Sequence, residues 1–342
     1  MKTHAIIPIF IPHKGCPNDC VFCNQRRITA RTGDVTLKDI KKIVSTYRST
    51  LKCRNVELAF YGGSFTGLPL EEQIKYLEYA KRLKQQNIIS GIHISTRPDY
   101  INREIISTLS NYGVDTCELG VQSFDEDVLK LAKRGHTVDD IYSACDLIKS
   151  AKIKLGIQLM IGLPGDSFES CIYSAKQTVY TSPELARLYP TVVIEDTELY
   201  DMYLDGSYSP LCEEDVLKRT TEMYKILTGS GIYVMRIGLK STDLINSDSV
   251  IGAYHPAFGS KVKSEAMKEN MLTALSTLDV KSEKIYATFY SNPKSFSDLI
   301  GYRSSNKNWF KENYPDISFE FGIDKSLKDG KCTICSGRRK DL

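Results

Sequence analysis

The sequence has no apolar run of about 18 residues, so no segment has the character of a membrane-spanning helix. It also has little net charge. Lys and Arg total 45 and Asp and Glu 42, which leaves +3 over 342 residues. Such a balance singles out no partner, and binding to nucleic acid would need a local basic face. There is no low-complexity tract and no repeat of solenoid period. Hydrophobic residues make up 42% and charged residues 25%, with 22 Gly and 12 Pro, which excludes a disordered or collagen-like chain. The first sixteen residues carry one lysine, Lys2, ahead of an apolar run broken by Pro8 and Pro12, and a second, Lys14, after it. A signal peptide needs a longer apolar core, so this stretch reads as a strand and the cytoplasm is the expected compartment.

What the chain does have is cysteine, ten residues in all. In a reducing compartment, clustered cysteines point to metal or redox sites before disulfides. Cys16, Cys20 and Cys23 lie within eight residues, and Cys332 and Cys335 form a second group. Cys53, Cys117, Cys145, Cys171 and Cys212 are scattered and read as small hydrophobes.

Periodicity predicts alternating strands and helices. Strands are expected at Ala5–Ile11, Val56–Tyr61, Ile92–Ser95, Thr116–Val121, Leu155–Ile161, Ala186–Val193 and Tyr233–Leu239. Helices are expected at Leu37–Leu51, Leu70–Gln86, Arg103–Tyr112, Asp125–Ala132, Val138–Ala151, Phe168–Thr181 and Glu213–Thr228. Six or seven βα units with near-continuous apolar strands imply an α/β fold with a parallel sheet under helices, either a barrel or an open doubly wound sheet. The rhythm changes near residue 241. The expected division is a core over 1–240 and an extension over 241–342. That extension is read as irregular at Ser241–Lys261, helical at Met267–Ala274 and Ser297–Tyr314, extended at Lys284–Tyr290 and Ile317–Gly322, with a polar, basic tail.

The strongest motif is Cys16-Pro-Asn-Asp-Cys20-Val-Phe-Cys23, directly after the first predicted strand. A structural zinc site or a ferredoxin-type cluster would want a fourth ligand, and His13 is the only local substitute for a cysteine. Three thiolates on a 4Fe–4S cluster leave one iron without a protein ligand. S-adenosylmethionine can chelate that iron, accept an electron at its sulfonium and release a 5′-deoxyadenosyl radical, while the protein positions it and excludes water.

With Phe22 before the third cysteine, this loop resembles the defining motif of the radical S-adenosylmethionine (radical SAM) superfamily. The resemblance implies a partial (β/α)6, TIM-like barrel, with a 4Fe–4S cluster on Cys16, Cys20 and Cys23 and S-adenosyl-L-methionine as cofactor. Tyr61-Gly62-Gly63-Ser64-Phe65-Thr66-Gly67 looks like the segment whose backbone meets the methionyl amino group, with Ser64 where the family pattern has Glu. Ser95-Thr96-Arg97-Pro98-Asp99 ends the third strand, and Arg97 is a candidate for the methionyl carboxylate. An Arg97–Asp99 structural pair is the alternative. Glu118 and Gln122 are polar positions in an apolar strand, so they face a lumen or are paired. Gln158 lies in the fifth strand, and Gly162-Leu163-Pro164-Gly165 is similar to the segment near the adenine. The order GGSFTG, STRPDY, ELGVQS, RGHT, GLPG resembles the Elp3-like branch, over about residues 5–240. In that branch a radical domain and an acetyltransferase domain together modify wobble uridine in tRNA. Two departures stand out. Residues 241–342 are too short for a full acetyltransferase domain, and the cysteine spacing is shorter than Elp3's.

The expected function is therefore a radical SAM enzyme acting in tRNA or RNA modification. Alternatives are a small-molecule or peptide substrate, or a non-catalytic cluster-bearing RNA-binding or sensor protein. An external electron donor of flavodoxin or ferredoxin type is implied. Cys332-Thr-Ile-Cys335 is half a metal site, a redox pair or coincidence. The basic tail, Lys331, Arg338, Arg339 and Lys340, either touches phosphates or is simply solvated. Tyr254–Gly259 reads as a packed loop, with His255 a candidate to face the substrate cavity.

Overall fold

The computed structural model describes residues 4–11, 20–24, 35–239, 245–246, 248–278 and 285–336. The chain divides into two compact units. One holds residues 1–216 and 226–256, the other 217–225 and 257–342.

In the first unit, strands β1 (His4–Ile11), β2 (Asn55–Gly62), β3 (Gly91–Thr96), β4 (Thr116–Gln122), β5 (Lys154–Ile161), β6 (Leu185–Pro190) and β8 (Tyr233–Ile237) form one seven-stranded sheet. Its order is β1-β2-β3-β4-β5-β6-β8. Every neighbouring pair is parallel. The sheet curls into a half-barrel, as the resemblance implied. The connecting helices include α1 (Leu37–Thr50), α2 (Leu70–Gln85), α3 (Arg103–Asn111), α4 (Glu126–Leu131), α5 (Val138–Ser150) and α6 (Phe168–Thr181), and α8 (Glu213–Gly229) has its middle residues, 217–225, in the second unit.

Local chemistry sets these boundaries. A capping box closes the start of α5, where the Thr137 hydroxyl accepts from Asp140 N and the Asp140 carboxylate accepts from Thr137 N. The helix then buries Ile141, Ala144, Cys145 and Ile148, a 3–4 residue spacing. The strands show a period of two. β2 fully buries Val56, Leu58 and Phe60 on one face and leaves Glu57 and Tyr61 half-buried on the other. Polar side chains at those alternate positions line the concave face.

Some expected elements differ. The strand read as Ala186–Val193 ends at Pro190, and Val193–Ile194 (β7) instead pairs antiparallel with Val250–Ile251 (β9). A short helix, α7 (Glu198–Leu204), starts on a Thr197 cap in a stretch that periodicity passed over.

In the second unit, β10 (Ile285–Ser291) is the central strand, with β11 (Ile317–Ile323) parallel on one side and β12 (Cys332–Ser336) antiparallel on the other. With α9 (Phe258–Leu275), α10 (Phe296–Ile300) and α11 (Ser305–Asn313), they bury Met267, Met271, Leu275, Phe289, Leu299 and Phe310. The α9 helix is longer than the segment expected at Met267–Ala274, and it begins at Phe258 and Gly259, inside the expected loop. Its buried positions Phe258, Val262, Ala266 and then Met267, Met271, Leu275 are four apart. Gly, Ser and Lys between them mask that ladder in the sequence.

The basic tail also holds a strand, β12, which revises the reading of Cys332 and Cys335. Residues three apart on a strand point to opposite faces and lie about 10 Å apart, too far for a disulfide. Cys332 packs with Ile334 against the core, whereas Cys335 is exposed. The pair is therefore neither a redox couple nor a shared two-thiolate site. Arg338, Arg339 and Lys340 lie outside the described residues.

Candidate cluster and cofactor site

Two of the three motif cysteines are in the described region, while Cys16 and His13 lie outside it. Cys20 and Cys23 sit on one tight turn, closed by the Cys23 amide donating to the Cys20 carbonyl at 2.9 Å. Val21 pins the turn in place. Its amide donates to the Ala132 carbonyl, and its carbonyl accepts from Leu199 N at 2.7 Å. Its side chain is buried with Val128, Ala132, Leu163 and Leu199, with Phe22 beside them. Arg134 stands against this turn. Its Nη1 donates to Cys20 Sγ at 3.2 Å, its Nη2 to the Gly120 carbonyl at 2.6 Å, and its guanidinium lies 5.9 Å from the Phe22 ring centre. A cationic donor on a ligand sulfur suits an anionic iron–sulfur cluster. The donor set and its docking therefore fit such a group.

The glycine segment continues from β2. Gly62 has φ +114°, and a Cβ there would meet the Ile11 carbonyl oxygen at 2.4 Å. The Gly63 amide donates to the same carbonyl at 3.0 Å. A recess beside it is lined by Gly63, Ser64, Phe65 and Ser95 among others. Ser64 points elsewhere. Its hydroxyl is buried, 2.7 Å from Thr96 Oγ1, and accepts from Arg97 N at 3.1 Å. Thus Ser64 ties the end of β2 to the end of β3.

The Arg97–Asp99 pair weighed from the sequence is present. Arg97 donates from Nε and Nη2 to the two carboxylate oxygens at 2.9 Å each, and also to the Arg134 carbonyl. It thereby anchors the Arg134–His136 loop. His136 is buried, its Nε2 3.3 Å from the Val121 carbonyl. Burial, then the charges of Arg134 and Arg97, depress its pKa to about 3, so its ring is neutral.

Glu118 is paired inside the lumen. Its carboxylate meets Arg187 Nε at 2.8 Å and His93 Nε2 at 3.6 Å, and His93 Nδ1 is 3.6 Å from Glu57. Burial pushes Glu118 up, but the Arg187 charge and the His93 contact outweigh it and hold it ionised. For His93, burial works downward, and the contacts to Glu118 and Glu57 raise its pKa overall. At the end of β4, a register shift between Gly120 and Gln122 and φ +72° at Gln122 mark a bulge. Gln122 Oε1 accepts from Gln158 Nε2 at 3.2 Å, which brings those two expected residues together. Gly162 has φ +85°, its amide donates to Asp166 at 2.7 Å, and its carbonyl accepts from Tyr208 at 2.6 Å.

Sequence reasoning includes Arg134 only within the RGHT segment, without a role, and does not single out Glu57, His93, Arg187 or Tyr189. The available signal was period-two polarity in apolar strands: Glu57 and Tyr61, His93 and Ser95, Arg187 and Tyr189. The pairing of Arg187 with Glu118, from strands two apart in the sheet, has no local signature.

Residues 10–176 match the radical SAM superfamily, and residues 183–268 match the radical SAM C-terminal domain. The tRNA uridine(34) acetyltransferase of Methanocaldococcus infernus is 34% identical over 184 residues, covering 48% of this chain and 34% of that protein. Its counterpart from Methanocaldococcus jannaschii is 32% identical over 256 residues, covering 63% and 47%. An uncharacterized protein from the latter organism is 30% identical over 227 residues, covering 63% and 69%. The chain thus spans a third to a half of the length of the acetyltransferases it matches. The solved structure of M. infernus Elp3 with residues 1–46 deleted shares the fold, with a TM-score of 0.65 at 24% identity, covering 79% of this chain and 64% of that one. No helix among the described residues is long and apolar enough to cross a membrane. By its cysteine loop, its half-barrel and these matches, the chain belongs to the radical SAM superfamily, in its Elp3-like branch.

Proposed function

We propose that this enzyme cleaves S-adenosylmethionine reductively at a 4Fe–4S cluster and acts on RNA, with a tRNA uridine as substrate. When bound, cluster and cofactor supply one-electron reduction of the sulfonium, and with it the 5′-deoxyadenosyl radical. Cys20 and Cys23, with Cys16, hold the cluster. Arg134 donates to a ligand sulfur and tunes it. Gly62 and Gly63 let the backbone approach the methionyl end. Ser95, Gln122 and Gln158 offer polar contacts from the lumen wall, and the Gly162 turn borders the adenine. Ser64, Arg97 and Glu118 act by holding the neighbouring strand ends and loops in place. The electron comes from an external donor of flavodoxin or ferredoxin type.

The observation that carries this reading is the docked Cys20–Cys23 turn with the Arg134 guanidinium on its sulfur. The RNA substrate is supported by the likeness to tRNA uridine(34) acetyltransferases. The enzymatic reading is tested by anaerobic reconstitution with iron and sulfide, reduction with dithionite and addition of S-adenosylmethionine. Formation of 5′-deoxyadenosine is expected, and Cys20→Ser or Cys23→Ser should abolish both iron retention and turnover. An intact cluster that gives no 5′-deoxyadenosine would leave a sensor or binding protein. Nucleoside profiling of tRNA from a strain lacking the chain tests the substrate, and an unchanged profile counts against RNA.

A further inference from the structure

Arg187 uses both terminal nitrogens on phenols. Nη2 donates to the Tyr61 hydroxyl, and Nη1 donates to the Tyr189 hydroxyl at 3.1 Å. A guanidinium only donates, so each phenol oxygen accepts and its own O–H remains to be given away. Among the described residues neither O–H has an acceptor. Both residues are partly rather than fully buried on the inward face of their strands. They are also held still. The Tyr61 ring lies 4.7 Å from the Arg187 guanidinium carbon and edge-on to His93 at 5.4 Å. Burial raises the Tyr61 pKa, so this hydroxyl keeps its proton.

The surrounding charge selects what the pair can bind. Arg187 is met by Glu118, and His93 lies between Glu118 and Glu57. Arg187 and His93 thus face two carboxylates, so with His93 in either protonation state these four groups carry no net positive charge. A phosphate or carboxylate would lose its hydration with no charge to compensate, whereas a neutral carbonyl oxygen needs only the hydrogen bonds.

We propose that Tyr61 and Tyr189, aligned by Arg187, form a paired donor site for the carbonyl oxygens of the substrate. Resting on the function proposed above, that substrate group is the pyrimidine-dione ring of a uridine. Tyr61 and Tyr189 then determine specificity, and Arg187 and Glu118 are positioning residues.

The test uses the cluster-reconstituted full chain without reductant, so no chemistry runs. Binding of an anticodon stem-loop RNA with uridine at the wobble position is compared, by fluorescence anisotropy, with the same RNA abasic at that position. The wild-type chain is expected to prefer the uridine RNA by roughly tenfold, the contribution of two modest hydrogen bonds. The Tyr61→Phe/Tyr189→Phe double variant should reduce that preference below about twofold while its affinity for the abasic RNA and its thermal midpoint stay at the wild-type values. A double variant that keeps the full preference overturns the donor site alone. A wild-type chain with no preference for uridine overturns it together with the RNA substrate. Should the double variant unfold, the two single variants carry the same comparison, each expected to lose about threefold.

Discussion

Gly62 combines φ +114° with a Cβ position 2.4 Å from a backbone oxygen, so neither torsion nor space admits a side chain. Gly62→Ala should cost about 2–4 kcal/mol, read as a lower urea midpoint at unchanged slope. His136 carries a pH signature. Its folded pKa is about 3, against about 6.5 for an unfolded histidine. Between those values the unfolded chain binds more protons, so stability falls as pH drops from about 6.5 toward 3. In His136→Asn that contribution is absent. A plot of thermal midpoint against pH should therefore be flatter for the variant than for the wild type across this window.

Strand β12 shows how an element decides the fate of a motif. Its alternation gives Cys332 to the core and Cys335 to solvent, and burial pushes the Cys332 thiol up to about 11. A thiol reagent at neutral pH should modify Cys335 quickly and Cys332 slowly. Cys335→Ser should change stability by less than about 0.5 kcal/mol, whereas Cys332→Ser, which buries a hydroxyl, should cost about 1–2 kcal/mol. Equal reactivity of both thiols, or a disulfide between them under mild oxidation, would contradict this strand.

Across the half-barrel, Arg187 on β6 reaches Glu118 on β4 and Tyr61 on β2, tying strands far apart in the sheet. Its charge is buried, so removing it alone strands a carboxylate. Arg187→Met should destabilise the chain by about 3–5 kcal/mol in denaturant unfolding, and adding Glu118→Gln should restore part of that loss. If the second change deepened the loss instead, the pair would not be the dominant partner of Glu118.

The sequence by itself determined the family-defining cysteine motif and the fold class. Cys16, Cys20 and Cys23 are neighbours along the chain, and apolar periodicity is written into each βα unit, so both signals are local. Period-two polarity placed Glu118 and Gln122 on an inward face for the same reason. Tertiary structure alone decided what those inward groups meet. Arg187 finds Glu118, Gln158 finds Gln122, and Arg134 finds Cys20 across separations of 69, 36 and 114 residues. Such pairings depend on how the sheet curls and how a loop docks, which no spacing within one element can encode. The same cause turned Arg97 toward Asp99 and Ser64 toward Thr96. Once strand ends are brought side by side, the nearest partner satisfies a buried polar group.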